Sequence, residues 1–297
     1  MKINLILQFL FNGLATGALY AIVALGFSLI YNTTKIFHIA HGALYTIAAY
    51  LLFSAFILLK LPLFLSILIA LFGTALFGIF IEIFVYRPFY KKNAPPVTSF
   101  ISSLGLYIVL QNLIALIYGN QVQVLISEPE KTFQLGSIII SRIQLLEITT
   151  FLIISILFYL IISFTKFGKF LKALSDNSLL AEIIGIDIDS IRLKVFAIGS
   201  MLAAISAILS ALDTGIEPTM GLPIVMIAIV SVIIGGSSVF EGALVGGILL
   251  GILQALSIFI FSAKWQNTVV FIALIIFLLF KPEGILGVRK RLEEIKI

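Results

Sequence analysis

The sequence predicts an all-α, polytopic membrane protein of about eight to ten transmembrane helices, two of its segments broken or re-entrant. Three observations carry this. Of the 297 residues, 61% are hydrophobic and only 11% are charged, against about a quarter charged in a soluble domain. The mean hydropathy is +1.21, so the outer surface must face lipid. The apolar residues gather into runs near 3–31, 36–59, 61–86, 97–118, 143–164, 191–212, 223–236, 242–262 and 265–280. Most of these suit the roughly 20 residues that a span requires.

Backbone groups in hydrocarbon must bond within their own segment, which makes these runs helices. The whole chain, 1–297, reads as one transmembrane domain. The first long run is interrupted at Tyr31-Asn32-Thr33-Thr34-Lys35. The run 223–236 is too short: at 1.5 Å per residue it reaches roughly 21 Å of an about 30 Å core. It ends in Gly235-Gly236-Ser237-Ser238 and resumes at Gly242, the pattern of a broken helix. An interruption thus falls in each half of the chain, near 31–42 and near 235–247. Irregular backbone at membrane depth is tolerated only around a cavity, so paired interruptions point to a transport site. Gly17-Ala18-Leu19-Tyr20 recurs as Gly42-Ala43-Leu44-Tyr45 and in part as Gly242-Ala243-Leu244, a likeness that so biased a chain can reach by chance.

Charge sets the expected orientation. Basic residues gather in 87–97 (Arg87, Lys91, Lys92), 164–194 (Lys166, Lys169, Lys172, Arg192, Lys194) and 281–297 (Lys281, Arg289, Lys290, Arg291, Lys296). The loops 119–142, 213–222 and 263–267 hold only Lys131, Arg142 and Lys264. The positive-inside rule puts the first set, and the C-terminus, in the cytosol. The side of the N-terminus depends on whether the interruption near 31–40 crosses or folds back. The net charge of +5 is explained by these loops and requires no nucleic-acid partner. Only Lys2 precedes the first run, and no small-residue cleavage site ends a short one, so no cleaved signal peptide is expected. With no cysteine, thiolate metal sites and a thiol nucleophile are excluded.

Two loops are long enough to carry structure. The extracytoplasmic loop 119–142 contains a hairpin pattern, Phe133 to Ile140, turning at Gly136. The cytoplasmic segment 164–190 is amphipathic at helical spacing: Phe167, Phe170, Leu171 and Leu174, then Leu179, Leu180, Ile183 and Ile184. Asp176-Asn177-Ser178 divides the two halves and supplies a cap for the second. This elbow reads as a docking surface for a cytosolic partner, or as a helix lying on headgroups.

Ionisable side chains within the bilayer are expensive and therefore informative. His38 and His41 flank the first interruption. Lacking a third ligand they make no metal site, and His41 is expected to bond a backbone group that the break frees. Glu82 reads as an interfacial partner of Arg87, Glu147 and Glu241 as headgroup-level residues. Asn12, Gln111, Asn112 and Gln254 are interhelical glue or pathway lining. Glycines such as Gly13, Gly17, Gly246, Gly247 and Gly251 allow close helix packing. No phosphate-binding G-x-x-x-x-G-K-[ST] loop, G-x-S-x-G elbow or H-E-x-x-H helix is present. A transporter without its own ATPase site is expected, and no enzyme; no cofactor is expected.

Several distinctive stretches run from Asn12-Gly13-Leu14-Ala15-Thr16-Gly17-Ala18-Leu19-Tyr20 through Ala40-His41-Gly42 and Arg87-Pro88 to Thr165-Lys166-Phe167-Gly168 and Ala181-Glu182-x-x-Gly185-Ile186. Pro218-Thr219-Met220-Gly221, Gly242-Ala243-x-x-Gly246-Gly247 and Lys281-Pro282-Glu283-Gly284 complete them. Together they resemble the LivH-type permeases of branched-chain amino-acid ABC importers. The sequence departs in reading Phe37-His38-Ile39 where that family has Asn and Phe before its Ala-His-Gly. The resemblance implies a permease of the bacterial or archaeal inner membrane, paired with a second, LivM-like permease. Two cytoplasmic ATPase subunits and an extracytoplasmic solute-binding protein would complete it, with leucine, isoleucine and valine as substrates. Urea, amides or other amino acids on the same architecture, or a standalone carrier or channel, are the alternatives. Asn12, His41, Gly42, Tyr45, Gly235 and Gly236 are the expected pathway residues. Leu174, Asp176, Ala181, Glu182, Gly185 and Ile186 are the expected ATPase-coupling residues.

Overall fold

The computed structural model describes residues 2–126 and 131–287. The basic residues Arg289, Lys290, Arg291 and Lys296 lie outside the described residues. The chain forms α1 (Lys2–Thr34), α2 (His41–Phe53), α3 (Leu63–Ile81), α4 (Arg87–Lys91) and α5 (Pro96–Tyr118), then the strands β1 (Thr132–Leu135) and β2 (Ile138–Ser141). It continues as α6 (Arg142–Phe164), α7 (Lys166–Asp176), α8 (Ser178–Ile183), α9 (Ile188–Thr214), α10 (Gly221–Gly235), α11 (Gly242–Ile260) and α12 (Gln266–Phe280). Among the described residues, eight helical stretches are long and apolar enough to cross a membrane, and α10 is a shorter apolar helix.

The helices α1, α2 and α9 form the centre. Residues 18–30 of α1 are buried without exception, which only small and apolar side chains on every face permit. By contrast α5, α6 and α12 are buried along one narrow stripe, as helices at a lipid boundary are. Backbone-to-backbone packing sets the closest crossing. Gly13, Gly17 and Ala21 of α1 lie against Gly247, Gly251 and Ala255 of α11, and a Cβ at Gly251 would run into Gly17 Cα. Small residues at such a crossing let dispersion act between backbones where lipid offers no hydrophobic drive. The obstruction would be main chain, which cannot rotate away. Gly251→Val is therefore expected to cost about 1–3 kcal/mol, measured as a lower unfolding midpoint in detergent.

The two ends of the bundle differ. At one end stands the hairpin: Thr132 pairs Ser141 and Leu135 pairs Ile138, closed by Gly136 at φ +62°. Gln8 anchors α1 there. Its Nε2 donates to the Ile139 carbonyl at 2.8 Å, and its Oε1 accepts from Ile139 N at 2.8 Å. Gln123 and Ile216 bridge antiparallel at this same end. At the other end is the elbow. Thr165 caps α7 by accepting from Gly168 N at 3.1 Å, and Asn177 caps α8 by accepting from Leu180 N at 3.1 Å. The start of α1 thus lies at the hairpin end and its last turn at the elbow end, where Lys35 Nζ donates to the Ser175 carbonyl at 3.1 Å.

The first interruption folds back rather than crossing. After Thr34 the chain turns inward, and the His41 ring lies against Gly26. Gly26 is eight residues before Thr34, about 12 Å along the helix axis. The irregular backbone is satisfied locally: Ile36 N donates to Thr34 Oγ1 at 3.3 Å, and Ala40 N to Ser103 Oγ of α5 at 2.9 Å.

Two wide turns shape the interior. Ser54–Leu58 and Glu82–Tyr86 are π-helical, an arrangement common where a side chain must be re-aimed. The second turns both Glu82 and Tyr86 inward. Glu82 is 1% exposed and pairs with Arg192 of α9, at 2.5 Å from Nε to Oε1 and 3.1 Å from Nη2 to Oε2. The sequence reading of Glu82 as the interfacial partner of Arg87 is thereby corrected. Arg87 instead pairs with Asp189, and Lys91 Nζ stands 3.9 Å from the same carboxylate. Glu82 faces the buried flank of its helix, where Arg192 stands, whereas the partly exposed Arg87 faces Asp189.

Candidate functional site

The segment after α9 enters the bundle from the hairpin end and starts α10 well inside it. The first turns of α2 and α10 meet there. Gly42 and Gly221 touch backbone to backbone, with Thr46 and Val225 on either side. Any Cβ at Gly221 would run into the Gly42 carbonyl. Two helices that begin inside the bundle and run in opposite directions therefore abut at their N-terminal turns. Their positive dipole ends lie at one depth, the arrangement that broken-helix carriers use at mid-membrane.

A two-part cavity opens above this crossing, toward the hairpin end. One part, about 380 Å³, runs along Tyr45, Ser210, Thr214, Glu217, Met220 and Ile224. The other, about 230 Å³, reaches Thr16, Tyr20, Gln144, Glu147 and Asp213. Tyr45, Ser210, Thr214 and Ile224 line both, so the two adjoin. Their size suits a small solute. The repeated Gly-Ala-Leu-Tyr stretches place Tyr20 and Tyr45 on this wall.

Below the crossing lies the histidine pair. His38 Nδ1 is 2.8 Å from the Tyr86 hydroxyl, and its ring centre is 5.7 Å from that of His41. His41 packs on Phe27, and both of its ring nitrogens are buried. The break satisfies its own amides through Ser103 and Thr34, and His41 reaches the backbone of Val23 in α1 rather than a group that the break frees. Among the described residues no group of three His, Asp or Glu gathers that would hold a metal ion.

The expected pathway residues separate into three places. His41, Gly42 and Tyr45 are together, stacked from below the crossing to the cavity above it. Asn12 lies one pocket away, between α1 and α11, its Oδ1 accepting from Gln8 at 3.0 Å and from Gln144 at 3.2 Å. Gly235 and Gly236 are at the far end of α10. There Gly235 abuts Gly242, and Gly236 takes φ +115°. Ile285 N and Leu286 N donate to the carbonyls of Ile234 and Gly235 at 2.8 and 2.9 Å, which closes the helix end.

Residues that sequence reasoning did not place at the site are Gly221 and Glu147. Glu147 was expected at headgroup level and is instead 2% exposed, turned inward on the cavity wall. Ile143 and Glu147 are one turn apart, on the one stripe that α6 buries.

The elbow presents a second surface. Leu171, Leu174 and Ala181 are buried and hold it to the bundle, whereas Asp176, Glu182 and Gly185 are exposed. Leu179, Leu180, Ile183 and Ile184 are 57–73% exposed, an unpartnered apolar ridge on a short helix. Gly185 ends that ridge at φ +87°, with nothing within 4 Å of where a Cβ would sit.

Three comparisons bear on this architecture. A solved structure, PsaBC from Streptococcus pneumoniae in complex with Fab, shares the fold at a TM-score of 0.53, with 12% identity and 93% of each chain covered. The high-affinity branched-chain amino acid transport system permease protein BraD of Pseudomonas aeruginosa is 31% identical over 295 residues, 95% of each chain. The permease protein LivH of Escherichia coli K12 is 31% identical over 296 residues, again 95% of each. The family model described as branched-chain amino acid transport system permease component matches residues 9–279. This multi-pass membrane protein belongs to the family of branched-chain amino acid transport system permease components.

Proposed function

We propose that the chain is the permease subunit of an ATP-driven importer for leucine, isoleucine and valine. The observation that carries this is the junction of α2 and α10 at Gly42 and Gly221. A cavity on the hairpin side is shut from the histidine pair by backbone contact, the closed state that alternating access requires. The hairpin end faces outward and the elbow end the cytosol, because the basic residues of 87–97 and 164–194 gather at the elbow. The C-terminus is then cytosolic.

The pathway runs past Tyr45, through the Gly42–Gly221 crossing and along His41. Asn12 supports it from the neighbouring pocket, and Gly235 and Gly236 set the inner end of α10. The chain supplies no ATP site of its own. Two cytoplasmic ATPases grip the elbow, through the ridge beside Asp176, Ala181, Glu182, Gly185 and Ile186, with buried Leu174 holding its base. A second permease completes the pathway, and an extracytoplasmic binding protein delivers the solute. Because the chain lacks cysteine, single cysteines report orientation cleanly. Ser178→Cys should react with an impermeant maleimide only from the cytosolic side, and Ser137→Cys only from outside. The tagged chain should co-purify with a sister permease and ATPase subunits. Reversed labelling, or a chain that purifies alone and transports without ATP, contradicts the proposal.

A further inference from the structure

We propose that Glu147 is the group of the outer cavity that receives the α-ammonium of the amino acid. The proposal rests on the importer reading above and adds which end of the substrate the cavity recognises. The helix α6 is otherwise a lipid-facing helix; the few side chains it buries are Ile143, Glu147, Phe158 and Ile162. A carboxylate in a span is costly and is retained where it meets a partner or a solute. Glu147 sits in the wall of the cavity that Tyr45 and Tyr20 also line.

The lining is acidic, and Glu147 and Asp213 also interact within the protein. Glu147, Asp213 and Glu217 line the two parts of the cavity, and neither lining includes a Lys, Arg or His. Beside them the Tyr50 hydroxyl is buried with no hydrogen-bond partner, within electrostatic reach of Glu217. At the floor the α10 N-terminus begins at Gly221, and Met220, Pro223 and Ile224 form that wall. A negative wall above a positive helix end matches a zwitterion: ammonium toward Glu147, carboxylate toward α10, apolar side chain along Ile224 and Met220.

The test uses the complete complex in proteoliposomes, with leucine as the solute. Glu147→Gln removes the charge at nearly constant volume. It is expected to lower leucine uptake about tenfold or more, with subunit assembly and substrate-free ATP hydrolysis unchanged. Glu147→Asp should restore most of the uptake. Wild-type uptake in Glu147→Gln overturns the proposal. So does equal loss in both variants with the complex intact, because that assigns the effect to packing. If Glu147→Gln fails to assemble, the exposed pair Asp213→Asn/Glu217→Gln decides. It should lower uptake about threefold or more at subsaturating leucine, and no change there overturns the proposal. A wild-type complex that imports a different amine-bearing solute, and loses it in Glu147→Gln, refutes the branched-chain reading while supporting this one. Import of urea alone overturns both.

Discussion

Replacing Arg192 with methionine is expected to destabilise the protein by about 3–5 kcal/mol, among the largest effects of any single exchange. The reason is the partner left behind. Glu82 and Arg192 are 1% and 3% exposed, joined by two hydrogen bonds in a forked geometry. The Arg192 guanidinium also stands 4.6 Å from the centre of the Tyr90 ring. Methionine fills much of the same space but leaves a carboxylate in a low-dielectric interior with nothing to balance it. The double variant Glu82→Gln/Arg192→Met should recover most of the loss, because no charge is then stranded. The measurement is the midpoint of unfolding in detergent for the two single variants and the double, read as a cycle. Additive losses would show that the pair contributes little. The pair also ties α3 to α9 just above the elbow, so the single variant should lose uptake as well as stability.

The second large effect is expected at the elbow and has the opposite character. Ile183→Glu should leave the fold intact, since Ile183 is 72% exposed. It should nevertheless lower ATPase capture and ATP-driven uptake by about tenfold or more. The ridge formed with Leu179, Leu180 and Ile184 is apolar and rests on buried Leu174 and Ala181, so a force applied to it passes into α7 and α9. A charge in its centre would have to be desolvated on docking. Unchanged pull-down of the ATPases would refute the docking role, and a lower unfolding midpoint would show that the ridge serves the fold instead.

Most of the fold was legible because lipid writes its demands along the sequence. Apolar runs of span length, a basic bias at alternate loops and a helical period with a central Asn cap in the elbow are local signals. The structure matches them: among the described residues, eight helices long and apolar enough to span, a short α10, a hairpin turning at Gly136 and an α8 capped by Asn177. The candidate site was less legible because its key contacts are distant in sequence. Glu82 and Arg192 are 110 residues apart, and neither one's local sequence marks the other as its partner. Gly42 and Gly221 carry nothing in their own neighbourhoods that pairs them. Gly235-Gly236 is the more conspicuous break in the sequence. It is a helix end sealed by residues 285–286, whereas the quieter start of α10 abuts α2. Glu147 lies near the beginning of a span, where position alone suggests headgroups. Its inward direction follows from the burial stripe of α6, which depends on which neighbours pack there.

The central claim is that this chain carries branched-chain amino acids in an ATP-driven complex. Uptake of labelled leucine into proteoliposomes holding the chain, its sister permease and the ATPases, with binding protein outside and ATP inside, tests it most directly. The account predicts saturable uptake that requires ATP, falls under excess isoleucine or valine and is unaffected by urea. Uptake that proceeds without ATP, or that urea suppresses while isoleucine and valine do not, would contradict it.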